Sequence, residues 1–301
     1  MIIDENKKRN LVIAAVGDES LHRHWLPEVG YDVCLIYYGD QKGRFSGESK
    51  FYKERKGTKF HLVYEILPEM QDYDYVWMPD DDICLKPKYI RRLFSMAKKY
   101  NLSLCQPSIM GWYGLAVTLH HKKCLLRYTN YVEIMCPCFS RKALEKCMKT
   151  FKENNTGWGI DHVWNKILNN PTDEIAIIDD IIAIHTRPVG GGDMYEKQAD
   201  GKMELAQNEN YEIFKKYKMG ESSYEDLKNG QIVSTESFGL QYHNTVEYGR
   251  IYKSNEAGVP VSKRLWPPSD EMKTLCQKIR GDENSNQNSL TAYGSAYGTH
   301  V

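Results

Sequence analysis

Short apolar runs alternate along the chain with stretches of helical spacing. Asn10 to Val16 is almost entirely apolar and predicts a first strand, ending in Gly17-Asp18-Glu19-Ser20. Tyr31 to Tyr38 predicts a second, with Val33, Leu35 and Tyr37 on one side and Gly39-Asp40 at its end. Gln41 to Lys59, rich in Lys, Arg and Gly, reads as an irregular loop. Phe60, Val63, Tyr64 and Leu67 recur at helical spacing between Gly57-Thr58 and Pro68. Tyr73 to Met78 is a compact aromatic and β-branched run, a buried strand. Ile90, Leu93, Phe94 and Ala97 then mark a helix that Pro87 opens. Ser103 to Gln106 and Tyr131 to Met135 read as short strands, and Ser140 as the N-cap of a helix burying Leu144, Cys147, Met148 and Phe151. Ile160, Val163, Trp164, Ile167 and Leu168 form a further helical stripe, and Glu174 to Ile184 a strand that ends at His185-Thr186-Arg187. Helices are expected near 203–218 and 269–280.

Strands alternating with helices predict an α/β fold, a mixed Rossmann-like sheet flanked by helices, with ligands outside the carboxyl ends of the strands. The polar clusters at 17–24, 39–40, 80–82 and 185–187 all fall at such ends. The expected division is a catalytic α/β domain at 1–192, a mainly helical extension at 193–280 and a flexible Asn, Ser and Gly-rich tail at 281–301.

Asp80-Asp81-Asp82 follows the strand run at 73–78. Three adjacent anions repel one another, and a cation relieves the cost of sheltering them. Hard carboxylate oxygens suit Mg²⁺ or Mn²⁺, bound through one or two carboxylates and a substrate's phosphates. In extended chain, residues i and i+2 share a face, so Asp80 and Asp82 are expected to reach one metal and Asp81 to point elsewhere. The plain alternative is a solvated acidic turn before the next helix. A metal-bound diphosphate implies transfer chemistry with a nucleotide as leaving group. His185 is the candidate nitrogen ligand, though a histidine after a strand is often structural. Arg187 is placed to pair with a phosphate, and Gly17 and Asp18 are expected at the same ligand's edge. An acceptor hydroxyl needs a base. Asp161, in the first turn of its helix, and Glu133, between apolar neighbours, are the two candidates. Each has an ordinary alternative, a first-turn acid or a strand residue facing water.

Lys+Arg and Asp+Glu both number 40, so net charge gives no argument for nucleic acid. The 21 Tyr and 6 Trp suit stacking against sugars and bases, and equally suit an ordinary core. Leu11 to Val16 is far shorter than the ~20 residues of a membrane span, and the acidic residues after it do not fit a signal peptide. Peripheral membrane contact stays open. Eight cysteines without Cys-x-x-Cys spacing fit small core residues and a reduced, cytoplasmic setting.

From about Asn10 to Gly192 the chain resembles a GT-A type glycosyltransferase domain. Asp80-Asp81-Asp82 matches its Asp-x-Asp motif, and Gly157-Trp158-Gly159-Ile160-Asp161 resembles its acceptor-side motif. The pieces at 73–82, 103–108, 132–141, 158–161 and 177–185 are similar, in order and spacing, to a family of glycosyltransferase-like domains of plants and bacteria. The resemblance implies a nucleoside-diphosphate sugar donor, Mn²⁺ or Mg²⁺, and a place for Asp40 near the donor base. With a base opposite the leaving group, transfer to a glycan or other hydroxyl acceptor is expected to invert the anomeric carbon. The competing possibilities are a nucleotidyltransferase or phosphotransferase, disfavoured by the acidic Gly17-Asp18-Glu19 loop, and a non-catalytic carbohydrate-binding protein on the same fold.

Overall fold

The computed structural model describes residues 10–112, 116–122, 124–188, 202–219, 242–247, 250–253 and 269–281, so the expected tail beyond Gly281 lies outside the described residues. Among these residues eleven strands form one mixed sheet. β1 (Asn10–Val16) lies parallel to β2 (Asp32–Tyr37) and to β4 (Tyr75–Trp77), and β2 parallel to β3 (Phe51–Glu54). β8 (Cys138–Ser140) runs antiparallel between β4 and β6 (Leu104–Gly111), and β9 (Ile175–His185) is parallel to β6. β5 (Ile83–Cys84) and β7 (Leu126–Thr129) pair antiparallel with β9, and β10 (Tyr242–Glu247) and β11 (Arg250–Lys253) continue antiparallel from β7. The two reversals at β8 cancel, so β1, β2, β4, β6 and β9 point the same way. Their carboxyl ends open on one edge, which carries residues 17–24, 39–40, 80–82 and 185–187.

Alternation along β1 sends Leu11, Ile13 and Ala15 to one face and Val12, Ala14 and Val16 to the other, and both sets are buried. The first face packs against α1 (Lys59–Ile66), α3 (Arg141–Cys147) and α4 (Ile160–Ile167), centred on Phe60, Phe139, Phe151 and Trp164. The second packs against α2 (Pro87–Lys99) through Ile90, Leu93, Phe94 and Ala97. Each fully buried aliphatic or aromatic side chain of this kind contributes about 1.5–3 kcal/mol, which holds a sheet covered on both faces. α5 (Lys202–Tyr217) packs on α4, and α6 (Asp270–Gly281) on β6. Ser140 caps α3, its hydroxyl accepting from the Ala143 N–H at 3.3 Å. All eight cysteines are free and buried. No helix among the described residues is long and apolar enough to cross a membrane.

Several expectations need correction. Tyr131 to Met135 is not a strand. Its backbone donors are taken by side chains: the Glu133 N–H by Gln106 Oε1 at 2.6 Å and the Ile134 N–H by Asp161 Oδ2 at 3.2 Å. The ladder position beside β4 belongs instead to β8. The stretch read as loop at 41–59 contains β3, and β6 runs five residues beyond Gln106, to Gly111. The two helices expected in the extension are present, and with them β10 and β11, which lengthen the core sheet. Where Pro107 sits in β6 without an N–H to donate, the register shifts from Pro107↔Ile178 to Ser108↔Ile182. Asp179, one of the residues so displaced, meets the buried Arg127 in a two-pronged pair at 2.6 and 3.0 Å.

Candidate active site

The acidic stretch is a turn rather than extended chain, with the Ile83 N–H donating to the Asp80 carbonyl at 3.2 Å. Segment 135–137 fixes its approach. The Asp80 N–H donates to Met135 O at 2.7 Å, the Met78 N–H to Pro137 O at 2.8 Å and Trp77 Nε1 to Cys136 O at 3.0 Å. A turn fans its side chains out, and the three carboxylates find different partners. Asp80 Oδ1 accepts from Lys59 Nζ at 2.7 Å, and the same ammonium donates to Ile134 O at 2.6 Å. Asp81 Oδ2 accepts from the Gly17 N–H at 2.8 Å and the Tyr38 hydroxyl at 3.0 Å, with Arg187 Nη1 3.6 Å from Oδ1. Asp82 Oδ1 lies 3.3 Å from His185 Nε2, and β5 pairing with β9 puts Ile83 directly across from His185. Electrostatically Asp80, Asp82 and His185 are linked: Asp82 and His185 both act on Asp80, Asp82 and Asp80 both act on His185, and His185 acts on Asp82.

Protonation follows from that crowding. Burial and the neighbouring Asp82 push Asp81 up to about 6. Burial also raises Asp80, against the pull of Lys59. At Asp82 burial works upward too, but His185 and Arg187 outweigh it and the carboxyl falls below its usual range. Burial alone would lower His185, yet Asp82 and Asp80 carry it up to about 9.

The residues fit a hard divalent cation. Asp82 Oδ1 is buried and faces the His185 ring, 3.3 Å from its Nε2. His185 Nδ1 donates to Trp112 O at 2.8 Å, which leaves Nε2 as the nitrogen aimed at Asp82. A second nitrogen tied to a carbonyl is the usual support of a ligating histidine. Among the described residues no three His, Cys, Asp or Glu side chains are drawn together as a ready cage. Mg²⁺ and Mn²⁺ do not require one, because substrate phosphates complete their shells.

The two base candidates differ sharply. Asp161, 4 % exposed, is saturated. Its Oδ2 accepts from the Tyr131 hydroxyl at 2.8 Å and the Ile134 N–H, and Oδ1 from the His162 N–H at 3.1 Å. Gly159, which precedes α4, is left-handed at φ +89° and lets α5 approach closely: a Cβ there would strike Asn210 Oδ1 at 2.6 Å and crowd the Asn210 backbone. Glu209 on the same helix holds the Asn155 and Thr156 N–H groups. Glu133 is buried with Oε2 lacking any partner, and burial together with the Asp161 charge pushes its carboxyl up to about 8.

Of the expected donor residues, Gly17 and Arg187 meet at Asp81, as above. Asp18 Oδ1 accepts from the Tyr37 hydroxyl at 2.5 Å and stands 3.5 Å from Arg44 Nε. Asp40 is turned outward, 80 % exposed and paired with Lys56 at 2.6 Å. Lys59, Tyr38, Trp112, Glu19 and Arg280 belong to the same surroundings and carry no motif. Only their place at strand ends, at the start of α1 or in the last turn of α6 could have marked them.

Comparison with known proteins places the fold. A family model described as a protein of unknown function (DUF707) matches residues 118–227, less than half of the chain. No curated protein matches the sequence. Among solved structures, GalNAc-T7 with UDP, GalNAc and Mn²⁺ is similar at a TM-score of 0.50 and 10% identity, over 76% of this chain and 55% of that one. The chain therefore spans little more than half the length of that relative. The mannosyltransferase PcManGT from Pyrobaculum calidifontis, in complex with GDP-Man and Mn²⁺, gives 0.46 and 11% identity over 96% and 79% of the two chains. S. aureus TarS 1-349 gives 0.43 and 12% over 67% and 65%. The protein has a GT-A-like α/β fold.

Proposed function

We propose that the chain is a metal-dependent glycosyltransferase that moves a sugar, with inversion, from a nucleoside-diphosphate sugar to a glycan or other hydroxyl acceptor. Asp80, Asp82 and His185 would hold Mn²⁺ or Mg²⁺. When bound, that cation neutralises charge developing on the departing diphosphate. Gly17, Asp18 and Arg187 border the donor, and Asp40 marks the outer edge of its base. The observation that carries this reading is the buried pair of Asp82 Oδ1 and His185 Nε2, 3.3 Å apart, in a ring whose other nitrogen is already committed to the Trp112 carbonyl. The likeness in fold to a protein solved with UDP, GalNAc and Mn²⁺ supports it.

Glu133 is assigned the acceptor proton. An unpartnered carboxyl oxygen can turn to an incoming hydroxyl, and a base with affinity for protons near neutrality matches the task. Asp161 is a positioning residue: its charge raises Glu133, and its bonds to Tyr131 and Ile134 hold the loop that carries Glu133. The test is a thermal-shift screen of nucleotide sugars with and without Mn²⁺. A ligand present at 100 times its dissociation constant adds about 2.7 kcal/mol to the folded state. A screen in which no nucleotide or nucleotide sugar moves the melting temperature, with or without Mn²⁺, removes the donor assignment.

A further inference from the structure

Two guanidinium groups converge beside the carboxylate turn from widely separated parts of the chain. Arg187, just past β9, places Nη2 3.2 Å from Glu19 Oε2 and Nη1 3.6 Å from Asp81 Oδ1. Arg280, in the last turn of α6, donates through Nη2 to the same Glu19 oxygen at 2.9 Å and through Nη1 to Thr186 Oγ1 at 3.3 Å. The helix is seated by the buried Met272, Cys276 and Ile279, with Cys276 Sγ 3.7 Å from the His185 carbonyl oxygen. The Arg187 side chain is 10% exposed and that of Arg280 20%, whereas Glu19 is 71% exposed. One solvent-facing anion is thus shared by two sheltered cations, of which Arg187 also faces the buried Asp81. Each guanidinium carries five N–H donors, more than one shared carboxylate oxygen can use.

We propose that Arg187 and Arg280 together form an anion site for the diphosphate of the nucleotide donor, and that Glu19 is a displaceable placeholder occupying it until the donor arrives. The inference rests on the glycosyltransfer reading for the identity of the anion. An already exposed carboxylate loses little on moving wholly into water. Phosphate oxygens, in contrast, accept from guanidinium groups in two-pronged geometry. The site lies where it must to serve the metal turn, because Arg187 reaches Asp81 and Arg280 acts on the charge of Asp82. It also makes the helix at 270–281 part of the donor site, although that helix lies beyond the family-like region of the chain. The ordinary alternative is that Glu19–Arg280 merely docks α6.

The sign of the effect separates the two. Calorimetric titration of the full chain is made with inorganic pyrophosphate alone, and with UDP and GDP in the presence of Mn²⁺. Arg280→Gln should weaken pyrophosphate and the nucleotide by about tenfold or more, the loss of a charge-assisted hydrogen bond. Glu19→Gln should tighten both by about fivefold, because the competing anion is gone. A docking role would move the two variants in the same direction, since either breaks the same ion pair, and that result overturns the proposal. Nucleotide binding that is unchanged in both variants also overturns it while leaving the donor reading intact. Pyrophosphate binding with the opposed pattern but no response to either nucleotide upholds the anion site and removes the donor reading instead. A wild-type chain that binds neither pyrophosphate nor nucleotide overturns the site.

Discussion

Replacing Glu133 by Gln keeps the shape of a side chain whose Oε2 has no hydrogen-bond partner and removes its ionisable proton. In the folded chain this carboxyl is pushed up to about 8, and in the unfolded chain it titrates near the ordinary ~4.3. Between those values the folded state binds the extra proton, so stability falls as pH rises, by up to about 1.4 kcal/mol per pH unit. The contribution is full below the unfolded value and is lost as pH climbs through about 8. Buried His22, His120 and His162, each lowered chiefly by burial, act in the opposite sense below neutrality. They are common to both proteins and cancel in the difference. Urea unfolding followed by tryptophan fluorescence from pH 5 to 9 should therefore show Glu133→Gln gaining on wild type with every step towards pH 8. Turnover should fall by ~10²–10⁴-fold with nucleotide affinity retained, the usual contribution of a positioned base. Stability curves that run parallel would show that the carboxyl is not held protonated. Full turnover in the variant would remove Glu133 as the base.

Asp82→Asn and His185→Ala should each lower Mn²⁺ affinity in calorimetry by about 10–100-fold, and equal losses in Asp81→Asn would reject the grouping of Asp80, Asp82 and His185. Asp161→Asn turns an amide towards donors that a carboxylate accepts from, so melting should report a loss of about 1–3 kcal/mol; an unshifted melt would contradict the positioning role. Asp179→Ala strands the buried Arg127 guanidinium and should cost about 3–5 kcal/mol in chemical denaturation. Gly111→Ala forces a left-handed residue, φ +93°, to drive its Cβ into the His185 carbonyl oxygen. It should cost more than about 1 kcal/mol and weaken nucleotide binding as well.

Much of the sheet was legible because alternation and apolar runs are local signals. β1, β2, β4 and β9 lie where the runs at 10–16, 31–38, 73–78 and 174–184 place them. Tyr131 to Met135 was misread because its alternation is genuine, while its hydrogen-bond partners, Gln106 and Asp161, lie about 27 residues away on either side. The carboxylates and His185 could be found as site candidates because they sit at strand ends. Their arrangement could not, since a turn in place of extended chain decides where three adjacent side chains point. Lys59, Trp112 and Arg280 were invisible for a related reason. A lysine at a helix start, a carbonyl after a glycine and an arginine on a late helix acquire meaning only through contacts that the fold creates.

The Glu19–Arg280 contact joins residues 261 positions apart. During synthesis the strand that leads into Glu19 is made early, and the helix carrying Arg280 is the last described element to emerge. A growing chain can pair β1, β2 and β4 well before β9 delivers His185 and Arg187, and before α6 closes over them. Pairings this distant in sequence form slowly, because loop closure precedes their reward. Until then the edge of β6 that β9 covers and the clustered carboxylates are exposed together, the condition in which partly made sheets are prone to misassociate. A chain stalled before α6 would accordingly be a sheet without its final clasp, and a natural substrate for chaperones or proteolysis.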